Sequence, residues 1–500
     1  MSEPKRYTPE EPQVTLGFGE EEIQKLFGHE AAEDEAPQRL REYYFKSATY
    51  DQVATTLPLR ILVGHKGIGK SALFRVAVAE NREKAKLTVE IKPDDVTDIA
   101  KGAIDFLSAI RVWKTGLREV VAKRAAQELG IPTSRAVTEV KAAESIVSGL
   151  QAAIRMSPEP SASSQREFSA EFLKSSQLSV FIDDLDRGWE GKKADVHRIS
   201  ALLNAVRDLV NEERDKLRFR ISLRSDVYFL VRTSDESTDK IEGSVIWQSW
   251  TNHEIFALLV KRIETFFGRN PDYDKLRQSS QRELALSLHH VMDEIFRGKG
   301  HWRNAPIHRV LMSLIRKRPR DLVKLCTLAA RKAHANNHSR IYTGDFEEIF
   351  EEYSQGRIQD TVNEFRSELP DVKRLVLNMR PTVKEKTARA GFVYTTADLY
   401  KKLENIQEQG KFTFKSGRVA TTKELANFLY RINFLTGRRE TATGIVRKYF
   451  EEQRYLQDEF VDFGFDWEIH PAYRWALQPE DYDSIFDRLE LSSFDQEWLQ

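Results

Sequence analysis

The sequence predicts an α/β fold: a mostly parallel sheet with helices on both faces, then a helical domain, then a C-terminal domain of helices and a hairpin. Three patterns carry that reading. Short apolar β-runs alternate with helix-period segments from 60 to about 250, the mark of a parallel sheet. From about 252 to 380 the period is almost wholly helical. From about 383 the tail turns to two helical runs and then β-like segments.

The elements follow in order. Residues 1–40, rich in Pro and Glu and ending in Glu33, Asp34 and Glu35, read as a flexible acidic segment that stays loose until the aromatic patch Tyr43, Tyr44 and Phe45. The first strand is Arg-Ile-Leu-Val at 60–63, running straight into a Gly-rich turn and a helix from Ser71. A second strand, 87–92, stops at Pro93. Residues 97–155 read as helical with a break at Gly130-Ile131-Pro132, and Ser/Pro-rich 157–164 reads as a linker. Strands at 178–182, 219–223 and 244–247 follow, with a long helix at 194–215 between the first two. Thr251 and Glu254 have the spacing of a capping box, in which hydroxyl and carboxylate satisfy end-of-helix amides reciprocally. The domains expected are a core at 41–268 with a helical insertion at about 97–177, a helical domain at 269–380, and a C-terminal domain at 381–500.

Composition limits the alternatives. A chain of 500 residues exceeds one ordinary core, and 40% apolar with 10% aromatic residues suits a folded protein. Lys plus Arg and Asp plus Glu both number 77, which argues against a surface coated in positive charge for wrapping nucleic acid. The one cysteine, Cys326, falls on an apolar helical stripe with Leu322 and Leu325 and reads as a core thiol. No apolar run is long enough to cross a bilayer, and the N-terminus has no apolar signal region, so a soluble, cytoplasmic protein with no membrane partner is expected.

Gly-His-Lys-Gly-Ile-Gly-Lys-Ser at 64–71 fits GxxxxGK[ST], the P-loop pattern. Glycines let such a loop curl until its backbone N–H groups point inward at a β-phosphate. Gly64, His65, Lys66, Gly67, Ile68, Gly69, Lys70, Ser71 and Ala72 are therefore the expected nucleotide-binding residues, Lys70 reaching the β/γ oxygens and Ser71 ligating Mg²⁺. The carboxylates Asp183 and Asp184 end an apolar strand, where ligands sit in open α/β sheets. Asp183 would hold Mg²⁺, and Asp184 would orient or deprotonate the attacking water. The bland reading is that Asp183, Asp184 and Asp186 only cap their loop. Arg224 and Arg320 are candidate γ-phosphate sensors, each with an ion pair as its bland alternative, to Asp226 and Asp321 respectively. ATP and Mg²⁺ are the expected cofactors. Arg232 has the character of a finger into a neighbouring copy, and Tyr43, Tyr44 and Phe45 read as core rather than as a stack for a base.

These residues resemble a family. Phe-Ile-Asp-Asp-Leu-Asp-Arg at 181–187 is similar to the Walker B signature of KAP-type P-loop NTPases, a branch of the STAND class near the AAA+ proteins. Residues 318–350 are similar to the helical lid of AAA+ and origin-recognition-like ATPases, in which the Arg after Pro, Arg320 here, is the second sensor. Arg224, closing a strand, matches the STAND-type first sensor. The resemblance covers about residues 40–350 and departs from membrane-anchored KAP proteins in having no membrane helices. It implies an ATPase acting as a conformational switch on a partner protein or on its own assembly. The whole layout also resembles bacterial P-loop ATPases found near defence genes, which implies an anti-phage or mobile-element setting.

The tail, an amphipathic run at 422–432 followed by β-segments, reads as a winged-helix-like module. Lys423, Arg431, Arg438, Arg439, Arg447 and Lys448 are basic, but Asp458, Glu459, Asp462, Asp466 and the acidic end from Glu480 to Glu497 lie close in sequence. Acidic flanks repel phosphate, so a protein partner is favoured over DNA. The basic run at 316–320 is a second DNA candidate that nucleotide contacts and helix solvation explain equally well. The alternative function is thus a DNA-associated AAA+-like ATPase; a small-molecule kinase is disfavoured by the paired aspartates and the large helical annex. His470 reads as a packed or capping side chain.

Overall fold

The computed structural model describes residues 15–492 apart from 100, 102–104, 214, 235, 388–390, 442–443, 455–464, 479–484 and 488. Asp458, Glu459, Asp462 and most of the acidic end lie outside the described residues. Two compact units are present: Lys46–Lys66 with Lys70–Gln248, and Met1–Phe45 with Gly67–Gly69 and Ser249–Gln500.

The first unit is built on a five-stranded sheet: β1 (Leu59–Gly64), β2 (Thr88–Ile91), β3 (Leu178–Ile182), β4 (Leu217–Arg224) and β5 (Val245–Trp247). Their order is β2-β3-β4-β1-β5 and every pairing is parallel. Parallel strands are covered on their faces and so read as continuous apolar runs; Ile61, Leu62, Val63, Val180, Ile182, Ile221 and Leu223 are fully buried. Helices Lys70–Glu83 and Lys193–Glu212 pack on the sheet. Between β2 and β3 run helices Phe106–Leu129, Thr133–Ala142, Ile146–Arg155 and Ser163–Ser175. The break falls at Gly130, whose left-handed φ of 66° closes the first of them.

The second unit is mainly helical. Helix Asn252–Phe266 opens on the Thr251–Glu254 capping box, and helices Ile307–Leu314, Pro319–Ala335 and Phe350–Phe365 follow. Cys326 is completely buried on this helical core, and burial pushes its thiol up to about 12. A two-stranded sheet pairs β6 (Ile295–Phe296) with β7 (Ala305–Pro306); toward the C-terminus, β8 (Val393–Tyr394), β9 (Leu435–Thr441), β10 (Gly444–Lys448) and β11 (Asp466–Ile469) form a sheet ordered β10-β9-β11-β8, with helices Thr396–Glu408 and Thr422–Arg431 between β8 and β9 in the chain. His470 is buried, accepts from the Ala472 N–H at 3.1 Å, and meets the Tyr449 hydroxyl at 2.8 Å. Burial keeps it well below the usual histidine range.

One expectation fails here. Within the described part of 1–40, helix Glu20–Phe27 buries Ile23, Leu26 and Phe27 against helices Asn252–Phe266 and Pro319–Ala335, and helix Pro37–Tyr43 follows. The i, i+3, i+4 apolar spacing makes this an amphipathic helix, and Glu20, Glu21 and Glu22 suit its positive N-terminal end. Glutamate-rich composition concealed a docked helix.

Candidate functional site

The 64–71 loop leaves the C-terminal end of β1 and runs into helix Lys70–Glu83. Gly67 and Gly69 take φ values of 80° and 103°, a region that side chains with a Cβ avoid. A Cβ on Gly67 would sit 2.9 Å from the Arg320 Cβ. Glycine is thus required twice in the crown of the loop. The Lys70 ammonium lies on its own loop, donating to the Gly64 carbonyl at 2.9 Å and the His65 carbonyl at 3.2 Å. His65 is fully buried, its Nδ1 2.8 Å from the Ser225 hydroxyl.

Asp183 follows β3 directly. Since β3 is separated from β1 by β4 alone, the two C-terminal ends stand about 10 Å apart, twice the usual inter-strand spacing. Asp183 Oδ1 accepts from the Asp184 N–H at 2.9 Å and from the hydroxyl of Ser222, at the same level on β4. Asp184 is exposed and adopts a left-handed φ of 59°, uncommon for a residue with a side chain and typical of turns and functional sites. Asp183 is thus oriented by a neighbouring strand, and Asp184 sits in a left-handed turn after it.

Arg224 ends β4 between the two motifs, level with Gly64 in the β1 register. Its guanidinium lies 3.0 Å and 2.5 Å from the Asp226 oxygens and 3.1 Å from Asp186. The ion pair to Asp226 is present, and Asp186 joins it. For Arg320 the expected alternative does not hold: Asp321 pairs with Arg316 at 2.7 Å and Arg357 at 2.5 Å. Arg320 instead directs its Nε to the Glu30 carbonyl at 3.1 Å, and its backbone N–H to the Gly67 carbonyl at 3.3 Å. Arg232 pairs with Asp239 and, at 3.2 Å, with Glu242. Tyr43 and Phe45 are buried, Tyr43 donating to Glu35 at 2.8 Å.

The donor set fits a magnesium–nucleotide rather than a metal held by protein alone. Among the described residues no group of three or more His, Cys, Asp or Glu could cage an ion. One hydroxyl, Ser71, and one carboxylate, Asp183, are what Mg²⁺ takes from protein when phosphates and water supply its other ligands.

Charge pairing and burial take up three residues of the basic run. Arg316, Lys317 and Arg318 are 2%, 7% and 2% exposed, held by Asp321, Glu452 and Glu364. In the tail, Arg431 is bound to Glu368, Arg438 to Glu440 and Glu490, and Arg447 to Glu468. Sequence reasoning missed Ser222 and Trp250. Ser222 could have been found as the small polar residue interrupting an apolar strand end; Trp250, whose indole donates to the Ile68 carbonyl at 2.8 Å, gives no local signal because its partner is distant in sequence.

Residues 253–362 match the FunZ-associated C-terminal helical domain. This is the helical stretch that begins with Asn252–Phe266. Over 331 residues, 63% of this chain, the sequence is 24% identical to the 80.3 kDa protein assigned to transposon gamma-delta of Escherichia coli (strain K12). The chain spans 43% of that protein's length. Solved structures with likeness include the Thermotoga maritima RuvB Holliday junction branch migration motor, at 12% identity over 86% of this chain and 95% of that one, TM-score 0.31. The Aeropyrum pernix ORC1 protein in complex with DNA is 12% identical over 92% and 97%, TM-score 0.32; Drosophila ORC bound to DNA is 10% identical over 96% and 95%, TM-score 0.32. Likeness at that level carries no argument, and the fold stands on this chain's own strand order. Among the described residues no helix is long and apolar enough to cross a membrane.

Proposed function

We propose that this chain is a Mg²⁺-dependent ATPase of the AAA+-related P-loop class, working as an ATP-dependent switch that regulates a partner protein or its own assembly. One observation carries the reading: the 64–71 loop and Asp183-Asp184 leave the C-terminal ends of parallel strands β1 and β3, with only β4 between them. Bound Mg²⁺ would supply charge neutralisation between the phosphates, held by Ser71 and Asp183. Lys70 exchanges its two carbonyl contacts for β/γ oxygens, a charge-assisted bond that is the stronger of the two. Asp184 orients the attacking water. Arg224 and Arg320 sense the γ-phosphate, Arg224 by leaving Asp186 and Asp226. The STAND-like assignment rests on the Walker B resemblance and this arginine.

The C-terminal order β8, two helices, β9 and β10 supports a winged-helix-like module, and its ion-paired arginines favour a protein partner. The transposon assignment of the matched Escherichia coli protein supports a mobile-element or defence setting. The test is ATP turnover by wild type, Lys70→Ala and Asp184→Asn, each with and without duplex DNA. Lys70→Ala is expected to lose turnover through lost binding, and Asp184→Asn to bind nucleotide but stall. Normal turnover in both variants discards the site. Stimulation by duplex with a steep salt dependence transfers support to the DNA-associated reading.

A further inference from the structure

Two carbonyls in the crown of the 64–71 loop are bonded outward. The Trp250 indole N–H donates to the Ile68 carbonyl at 2.8 Å, and the Arg320 backbone N–H donates to the Gly67 carbonyl at 3.3 Å. A trans peptide is planar, so its C=O and N–H point in opposite directions. Fixing the Ile68 carbonyl toward Trp250 therefore turns the Gly69 N–H the other way, into the curl of the loop. The Arg320 contact does the same, more weakly, for the Ile68 N–H.

Those N–H groups are what a phosphate-binding nest presents. Gly69, with φ of 103°, sets no Cβ barrier on its own side of the Ile68–Gly69 peptide, leaving Ile68 alone to restrain its rotation from within the loop. The inward orientation needs a donor from outside the loop. Trp250 meets that need: it is 2% exposed, Ile68 is 3% exposed, and solvent offers the carbonyl little alternative. The indole is itself seated in a cleft with Arg316, Lys317, Tyr449 and Glu452. Lys317 stiffens that wall, donating to Glu452 at 2.5 Å and lying 5.2 Å from the Tyr449 ring centre.

We infer that Trp250 is a positioning residue for nucleotide binding, holding the Ile68–Gly69 peptide with its N–H toward the phosphate. The inference rests on the nucleotide reading above and goes beyond it in naming what sets the loop. Trp250→Phe keeps the ring and deletes the donor, so binding suffers while the chemical step does not. The experiment measures KM and kcat for MgATP, Kd for a fluorescent ADP, and the thermal midpoint, for full-length wild type and Trp250→Phe. KM and Kd are expected to rise roughly tenfold, the equivalent of about one hydrogen bond, with kcat within about twofold and the midpoint unchanged. Wild-type KM and Kd in the variant overturn the inference, as does a fall in kcat and midpoint without a rise in KM. If Trp250→Phe does not fold, Lys317→Met carries the test by loosening the wall behind the indole: KM should rise severalfold, and a wild-type KM overturns the role. A wild type that binds no nucleotide sinks both this inference and the proposed function; a binding wild type matched by its variants sinks the positioning role alone.

Discussion

Glu468 shows what a single buried charge does in this molecule. It is 1% exposed and accepts from Arg447 at 2.7 Å and 3.1 Å and from Arg474. Burial alone would push its carboxyl up; Arg447 and Arg474 outweigh that and hold it down to about 2. Its contribution is therefore present above the ordinary glutamate range and lost as pH falls toward 2. Glu468→Gln leaves two buried guanidiniums without their counter-charge, and breaking such a cluster costs about 3–5 kcal/mol. Urea unfolding of the two proteins checks this, and a loss below about 1 kcal/mol would contradict it. Arg220 is solved differently: burial, with Arg218 and Arg60 nearby, lowers it to about 9, and the guanidinium donates hydrogen bonds to the backbone carbonyls of Val53 and Thr55 at 2.7 Å and 2.6 Å.

Between elements, helices Asn252–Phe266 and Ile307–Leu314 meet through Phe256 and His308, whose rings stack at 4.9 Å with 8° between planes. Burial, aided by Arg309, depresses His308 from 6.5 to about 4. Between those values the unfolded chain binds more protons than the folded one, so stability falls as pH is lowered through that window. From pH 7 to pH 5 this one group is expected to withdraw on the order of 2 kcal/mol. His308→Phe keeps an aromatic face on Phe256 and should flatten that part of the curve in urea titrations at both pH values; an unchanged slope refutes the assignment. The elements themselves were largely legible. Strands β1 to β5 announce themselves because strands buried on both faces must be apolar throughout, and the Thr251–Glu254 box because capping is local chemistry. Helix Glu20–Phe27 was not, since its justification is a groove formed by helices more than two hundred residues away.

At the scale of the whole molecule, the candidate site was legible to the extent that its chemistry is written in contiguous residues. The 64–71 loop and the 183–184 carboxylates are each one short segment after one strand. What joins them is strand order, which local pattern does not determine, and so the place of Ser222 beside Asp183 emerged only with β4 between β3 and β1. The basic residues at 316–318 pass for a DNA surface in the sequence for the same reason: their carboxylate partners come from Asp321, Glu364 and Glu452, brought there by packing. The central claim is that one curled loop and one aspartate hold a magnesium–triphosphate. Calorimetric titration of the full chain with ATP, in Mg²⁺ and in EDTA, for wild type and Lys70→Ala, tests it most directly. Saturable binding in wild type, strengthened by Mg²⁺ and lost in Lys70→Ala, is the predicted result; binding of equal strength in both proteins, indifferent to Mg²⁺, would contradict it.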